Sequence, residues 1–286
     1  ECSILNAEVA LKTFSEDFTL KTDYYIVKGG LSQLIDRMTT KLKDMGCHFE
    51  LGTSFEDIRL FNETKTKTKN NTSKEYVINS KYISKKVVLA LNKSALLPLV
   101  SSPTNRSKSK SKSAHSTIKL LKPIQKYLKM IDCQPLYRIY AQYPNNKNTN
   151  KVWFYNIGKT TTNLEIKYVI PIDRKNGIIM ISYTDGKYSN YWNDIVKSKK
   201  NDKSFELELA RQLTLLFPES VIPNPNWITH HYWKDGACYW RPGVDAFKMM
   251  KQILKPINNH NIFVANSNFN IKQAWIEGGL NSSMKL

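Results

Sequence analysis

The sequence has no apolar stretch approaching the roughly 18–20 residues that a membrane-spanning helix needs, which excludes a helical membrane protein by span. Its opening residues, Glu1-Cys2-Ser3, offer neither an initiator Met nor the basic-then-apolar layout of a secretory signal. Such a start reads as the interior of a longer chain. Cysteine is scarce: Cys2, Cys47, Cys133 and Cys238 stand far apart, with no Cys-x-x-Cys pair and no His at metal-ligand spacing. That excludes a zinc module and makes a disulfide framework unexpected, so free thiols in a reducing compartment are the simpler reading. Glycine is scarce as well, and none of the 11 glycines builds a Gly-x-Gly-x-x-Gly turn. Without that turn the chain has no dinucleotide phosphate fingerprint of its own. Acidic residues are outnumbered, 24 against 43 Lys and Arg, leaving a formal net charge of +19.

What is present suffices for a folded protein. At 286 residues, with 41% hydrophobic and 23% charged side chains, the chain can bury a core, and disordered and fibrous classes are ruled out. The length suits one large domain or two that share a sheet. The positive charge is concentrated at Lys65, Lys67, Lys69 and Lys74 and again at Arg106, Lys108, Lys110 and Lys112. Neither stretch interleaves aromatic residues with bases, as single-strand stacking surfaces do. A solvated, Lys-biased face is the default, with nucleic acid or acidic partners as the alternative. Asn occurs 26 times, so the sequons at Asn62, Asn70, Asn71, Asn92, Asn105 and Asn281 arise by chance and imply no secretion. A cytoplasmic location is expected.

Periodicity gives the element order. Leu31, Leu34, Ile35, Met38 and Leu42 make residues 30–46 an amphipathic helix stopped by Gly46. A short strand at 47–51 and a hairpin from 54–61 and 75–78 follow, around a polar loop at 62–74. Residues 87–91 form a continuous apolar run, which predicts a strand buried on both faces. The Ser/Lys-rich stretch 101–115 marks a boundary or surface loop. A helix is expected over 116–132, then strands at 138–143, 152–155, 168–171 and 177–183. After these come a helix at 205–217, a strand at 228–233, a helix at 246–254, a strand at 262–265 and a last helix over 273–283. The adjacent His230 and His231 would face opposite sides of a strand and so do not share a metal. Helix and hairpin, a sheet-rich middle, then helix, strand and helix together read as an insertion inside an α/β unit.

Three stretches, in this order and spacing over 26–286, resemble the flavin-containing amine oxidase family. They are Val27-Lys28-Gly29-Gly30-Leu31 with Gly52-Thr53-Ser54-Phe55-Glu56-Asp57-Ile58; Trp233 to Gly243, which contains Gly236-Ala237-Cys238-Tyr239-Trp240-Arg241-Pro242; and Ile262-Phe263-Val264-Ala265 followed by Ala274-Trp275-Ile276-Glu277-Gly278-Gly279. The Lys/Asn-rich style is similar to that of a member from a large DNA virus. The resemblance implies an α/β fold, in which an α+β substrate domain is inserted in an FAD-binding-type α/β domain. On this pattern 1–25 is a lead-in, 26–98 belongs to the FAD-binding domain, 99–255 is the substrate domain and 256–286 returns to the FAD-binding domain. It also implies FAD, held without a covalent bond through Cys238, and a small amine or polyamine substrate. Trp275 and Tyr239 match the walls of an aromatic cage whose ring faces can steer an amine. Arg138 matches a lysine that holds a water by the flavin. Phe55, Asn266, Ser267, Ile276, Glu277 and Gly278, together with Trp275, fall at cofactor-lining positions.

The departures carry as much information. The N-terminal phosphate-binding portion is missing from the sequence, so a portion on the same or a separate chain is the expected partner. Asn266-Ser267 stand where the family has Gly-Glu, and an Arg cannot become neutral as a Lys can. The expected activity is oxidation of an amine C–N bond to an imine, with O2 reduced to H2O2, and this chain alone is expected to be inactive. The alternative is a non-catalytic structural or binding protein with a degenerate flavin site.

Overall fold

The spacing of apolar residues over 31–42 does produce a helix, α1 (Ser32–Asp44), closed by backbone bonds from Met45 to the carbonyl of Lys41 and from Gly46 to that of Lys43. The computed structural model that shows it describes residues 27–61, 74–101, 112–198 and 203–286. None of α1 is buried: its apolar stripe runs from 37% exposed at Leu42 to 60% at Ile35. Apolar stripes on surface helices ordinarily face a core, and this one stays largely exposed to solvent. Residues 47–51 are irregular instead of the expected strand. Strands β1 (Ile58–Leu60), β2 (Tyr76–Ile78) and β3 (Tyr82–Ser84) follow as an antiparallel meander. The loop expected at 62–74 falls almost entirely outside the described residues.

Strand β4 (Val87–Leu89) pairs in parallel with β10 (Ile262–Val264) from the far end of the chain. The expectation of burial on both faces is corrected here. Val87 and Leu89 point inward and Val88 is 49% exposed, so the run alternates. Helix α2 (Lys93–Val100), begun by the Asn92 side chain accepting from the amide of Ala95, was not expected from the sequence. The low-complexity stretch lies largely outside the described residues. The helix expected over 116–132 is shorter and stepped: α3 (Lys112–Leu121), a 3-10 turn at Lys122–Ile124, then α4 (Gln125–Leu128).

The main sheet is antiparallel, with strand order β6-β7-β8-β5-β9. Its members are β5 (Ile131–Gln142), β6 (Thr160–Thr161), β7 (Tyr168–Asp173), β8 (Ile178–Asp185) and β9 (Trp227–Trp240). The strand expected at 152–155 is instead a turn that sinks Val152 and Phe154 into the core. Two helices cover this sheet, α5 (Gly186–Lys197) and α6 (Ser204–Leu216). The chain closes with α7 (Ala246–Ile253), β10, a 3-10 turn at Ser267–Phe269 and α8 (Ile276–Ser283).

Two buried clusters result. One gathers Ile58, Tyr76, Leu89, Leu96, Ile262 and Phe269, and the other Tyr137, Ile139, Phe154, Ile181, Trp192 and Leu209. The β5–β9 ribbon runs through both, since Ile131 and Trp240 belong to the first and Tyr137 and Ile139 to the second. The handover coincides with an irregularity between Gln134 and Leu136, where a Cβ on Gly236 would overlap the Leu136 side chain. Only glycine lets the strands approach so closely.

The same ribbon overturns the free-thiol expectation. Cys133 and Cys238 are direct partners across β5 and β9 and form a disulfide, while Cys47 is free and exposed. Register set by the whole sheet, 105 residues apart in sequence, is invisible to a spacing argument. No helix among the described residues is long and apolar enough to cross a membrane.

On α6, Glu208 accepts from Arg211, Gln212 and the Tyr191 hydroxyl, and the buried Gln212 passes the link to the amide of Ile166. The Arg211 guanidinium foremost holds the Glu208 carboxyl at about 2, below its ordinary 4.5. A depressed carboxyl stabilises the fold above its unfolded pKa, and that stability is lost as pH falls from 4.5 towards about 2. Solvent around the half-exposed Arg211 screens the pair, so the expected loss is about 1 kcal/mol. Unfolding free energies of the parent and Glu208→Gln, measured by urea titration at a series of pH values, should converge below that window and separate above it.

Candidate functional site

The segment after β10 is rich in short polar side chains, which favour caps and turns over regular structure. Asn266 accepts from the amide of Asn268 at 2.7 Å and starts the 3-10 turn whose first residue is Ser267; both are half-buried. Asn268 in turn accepts from the amide of Lys93 at the start of α2. Asn270, fully buried, donates to Ser282 at 3.0 Å and accepts from the amide of Lys272. Ser282 donates within reach of the carbonyls of Asn266 and Gly278, so the C-terminal end of α8 is pinned to this turn.

The turn is also tied to β9. Gln273 accepts from the amide of Trp240 at 2.9 Å, and the Trp240 indole donates to the Asn270 carbonyl at 2.9 Å. Tyr239 and Trp275 therefore project from adjoining segments, 45% and 57% exposed. Ala274, immediately before Trp275, takes a φ of +63°, in the left-handed region that non-glycine residues seldom enter. Strain of this kind is kept where the surroundings over-determine a side chain's placement. Here it turns Trp275 out of the packed turn and into the N-cap position of α8.

Ile276 and Glu277 open α8, and Glu277 is neutralised by an ion pair with Lys272. Gly278 is buried, and a Cβ there would overlap the Lys272 carbonyl; Gly279 has nothing within 4 Å of a Cβ. Its neighbour thus allows the backbone to close up, while Gly279 faces open space. Phe55 is half-buried against the first core. Around it the Asn79 side chain accepts from the amides of Glu56 and Asp57 and donates to the carbonyl of Ser54, which fixes the chain on both sides of Phe55.

Arg138 stands apart. Its guanidinium donates to the carbonyls of Tyr137 and Thr184 at 2.8 and 2.9 Å and stacks 3.2 Å above the Tyr183 ring. The Cα partner of Tyr239 is Asp132, so six residues of β5, roughly 20 Å of strand, separate the two positions. Hydrogen bonds thus tie the strand segment next to Tyr239 to the turn that follows Asn266 and Ser267 and to the residues leading into Trp275, while Arg138 lies in the sheet beside the second core. Sequence reasoning missed Tyr183, Asn270 and Gln273; the clustering of Asn at 261–270 was the available sign of a capped turn.

Two other candidates resolve plainly. Cys238 is fully buried and bonded to Cys133, so its sulfur is not presented to a ligand. His230 shares a hydrogen bond with the Tyr137 hydroxyl at 2.9 Å, and its pKa is lowered by burial and by His231. His231 lies beside Trp233. No group of three or more His, Cys, Asp or Glu able to hold a metal occurs among the described residues.

A family model described as "Flavin containing amine oxidoreductase" matches residues 1–284. Among solved structures, one described as a protoporphyrinogen oxidase from Exiguobacterium sp. 255-15 is similar, with a TM-score of 0.56 at 10% identity. The likeness covers 90% of this chain and 51% of that one, so the chain spans about half the length of the structure it matches. No curated protein matches.

Proposed function

This chain belongs to the flavin-containing amine oxidoreductase family, and on that premise we propose that it is the substrate-facing part of an FAD-dependent amine oxidase. The observation that carries this reading is the exposed pair Tyr239 and Trp275 beside the start of α8. The residues there fit the flavin end of the cofactor. Trp275 places no side-chain cap on the first amides of α8, Lys272 cancels the Glu277 charge, and Gly279 leaves room for close approach. A helix start of that kind favours a partial negative charge. The pyrophosphate end has no counterpart in the sequence, because no glycine-rich phosphate turn exists in it.

When bound, FAD supplies the acceptor for the hydride equivalent that leaves the carbon beside the amine nitrogen. The chain's own part is positional. Trp275 and Tyr239 orient the amine between their rings, and Asn266 and Ser267 hold the turn that carries them. Arg138, the proposed holder of a water, is committed to two carbonyls and a ring, and serves the substrate side of the sheet at most indirectly.

We further assign 26–98 and 256–286 to the cofactor side and 99–255 to the substrate side. A second portion, on the same or another chain, provides the phosphate turn. Two features support this: the exposed stripe of α1, and the parallel pair β4–β10, two strands of a sheet type that ordinarily has more members and both faces covered.

The test is the absorption spectrum of the complete, naturally expressed protein. Flavin bands near about 370 and 450 nm are expected to co-purify and to bleach anaerobically when amines are added. Trp275→Ala should slow that bleaching about 10- to 30-fold, the range a desolvated cation–ring contact supports. A colourless protein that stays colourless with excess FAD would sink the reading and favour the binding protein with a degenerate site.

A further inference from the structure

Away from this site, on the side formed by β1, α3, α4 and α7, lies a cavity of about 800 Å³. Its charged lining is of one sign: Arg59, Lys119, Lys126, Lys251 and Lys255, with His260 alongside and no carboxylate. These side chains come from separate parts of the chain, so no single basic run accounts for them. Like charges brought together without counter-ions oppose folding. The ion pairs among the described residues join Lys81 to Glu50, Arg211 to Glu208, Arg241 to Asp132 and Lys272 to Glu277, and none involves a cavity cation.

His260 lies at the edge of the cavity, its Nδ1 3.2 Å from the Tyr76 hydroxyl, which also accepts from the amide of Asn261 at 2.9 Å. The rest of the wall is uncharged: Leu60, Leu120, Pro123 and Ile257 give an apolar side, and Asn258 and Gln252 add neutral polar groups. The volume is that of a site for a small organic molecule and far exceeds one inorganic phosphate.

We propose that this cavity binds a small organic polyphosphate of the nucleotide class, its phosphates among the lysines and Arg59 and its uncharged half against Leu60, Pro123 and Ile257. Cations that converge on one cavity suit a compact polyanion. A nucleic-acid strand calls for cations along a groove with stacking rings, and the ring nearest at hand, Tyr127, is buried. None of the residues gathered around Tyr239 and Trp275 lines the cavity.

Calorimetric titration of the purified chain with ATP, tripolyphosphate and adenosine tests this. ATP is expected to bind, tripolyphosphate more weakly and adenosine not at all, with affinity falling as salt rises. Lys119→Gln with Lys255→Gln should weaken ATP at least about tenfold, while Lys151→Gln, outside the cavity, stays within about twofold. An unchanged melting temperature in the double variant separates lost binding from lost folding, and the double Arg variant should restore most of the affinity. The proposal is overturned if ATP affinity ignores the double substitution, or if saturating FAD displaces ATP completely, which would put the nucleotide in the flavin cradle. Tighter binding of a single-stranded oligonucleotide than of ATP would overturn it too, in favour of a nucleic-acid surface.

Discussion

Replacing Gly278 with Ala is expected to lower stability by about 3 kcal/mol or more and to abolish flavin retention by the complete protein. The added methyl would overlap the Lys272 carbonyl, a backbone atom held in place because the Lys272 amide is bonded to Asn270. No flexible side chain is there to give way. The strain would spread through Asn270 and Ser282, which tie the turn to α8, and then to Trp240 through the Asn270 carbonyl. Gly279→Ala is the paired control: with nothing within 4 Å of the new methyl and a helical position, the free protein should gain up to about 1 kcal/mol. Thermal melts of both variants decide the matter. Equal melting temperatures would mean that the turn relaxes as a unit and that the close approach at Gly278 has no structural consequence.

The second large effect belongs to the other core. Trp192 is fully buried on α5, edge-on to Phe205 and Tyr191, and its indole donates to the Glu165 carbonyl at 3.0 Å. Trp192→Ala should cost about 3–5 kcal/mol, the sum of lost transfer energy and an unfilled cavity. It also leaves the Glu165 carbonyl without its partner. Trp233→Ala, at a position 47% exposed, is expected to cost under about 1 kcal/mol. Urea titration of the two variants gives the comparison directly. A loss below about 1.5 kcal/mol for Trp192 would mean that α5 repacks into the space.

The order of elements was largely legible, because helix α1, α6, α7 and strands β5, β7, β8 and β10 each carry their own period. What failed depends on partners distant in sequence. Val152–Tyr155 has strand-like composition, but four residues cannot distinguish a strand from a turn that buries two of its side chains. Strand β8 ends at Asp185 and α5 begins at once at Gly186, so strand and helix abut with no loop between them. The break at Lys234-Asp235-Gly236 looked like the end of a strand, whereas β9 passes through it by an irregularity that needs Gly236. At the candidate site, motif order named Trp275 and Tyr239 but not the Trp240–Gln273 and Trp240–Asn270 hydrogen bonds that link their segments. Arg138 was assigned from its place in that order, and only coordinates reveal the carbonyls and the ring that occupy it. The pairing of Cys133 with Cys238 and the gathering of five cations around one cavity are likewise products of register and packing, which no local pattern records.

The disulfide has a mechanical consequence. It joins β5 to β9 near the first core and closes a ring of chain 105 residues long that contains the whole second core. A force applied between the two ends of the chain is carried across the sulfur bridge and never reaches that ring. At about 3.3–3.6 Å per extended residue, some 350–380 Å of contour length stays hidden from the pull. To a stretched molecule the second core is a sealed parcel hung on the line of force, and only reduction of the bridge would place it in series with the rest.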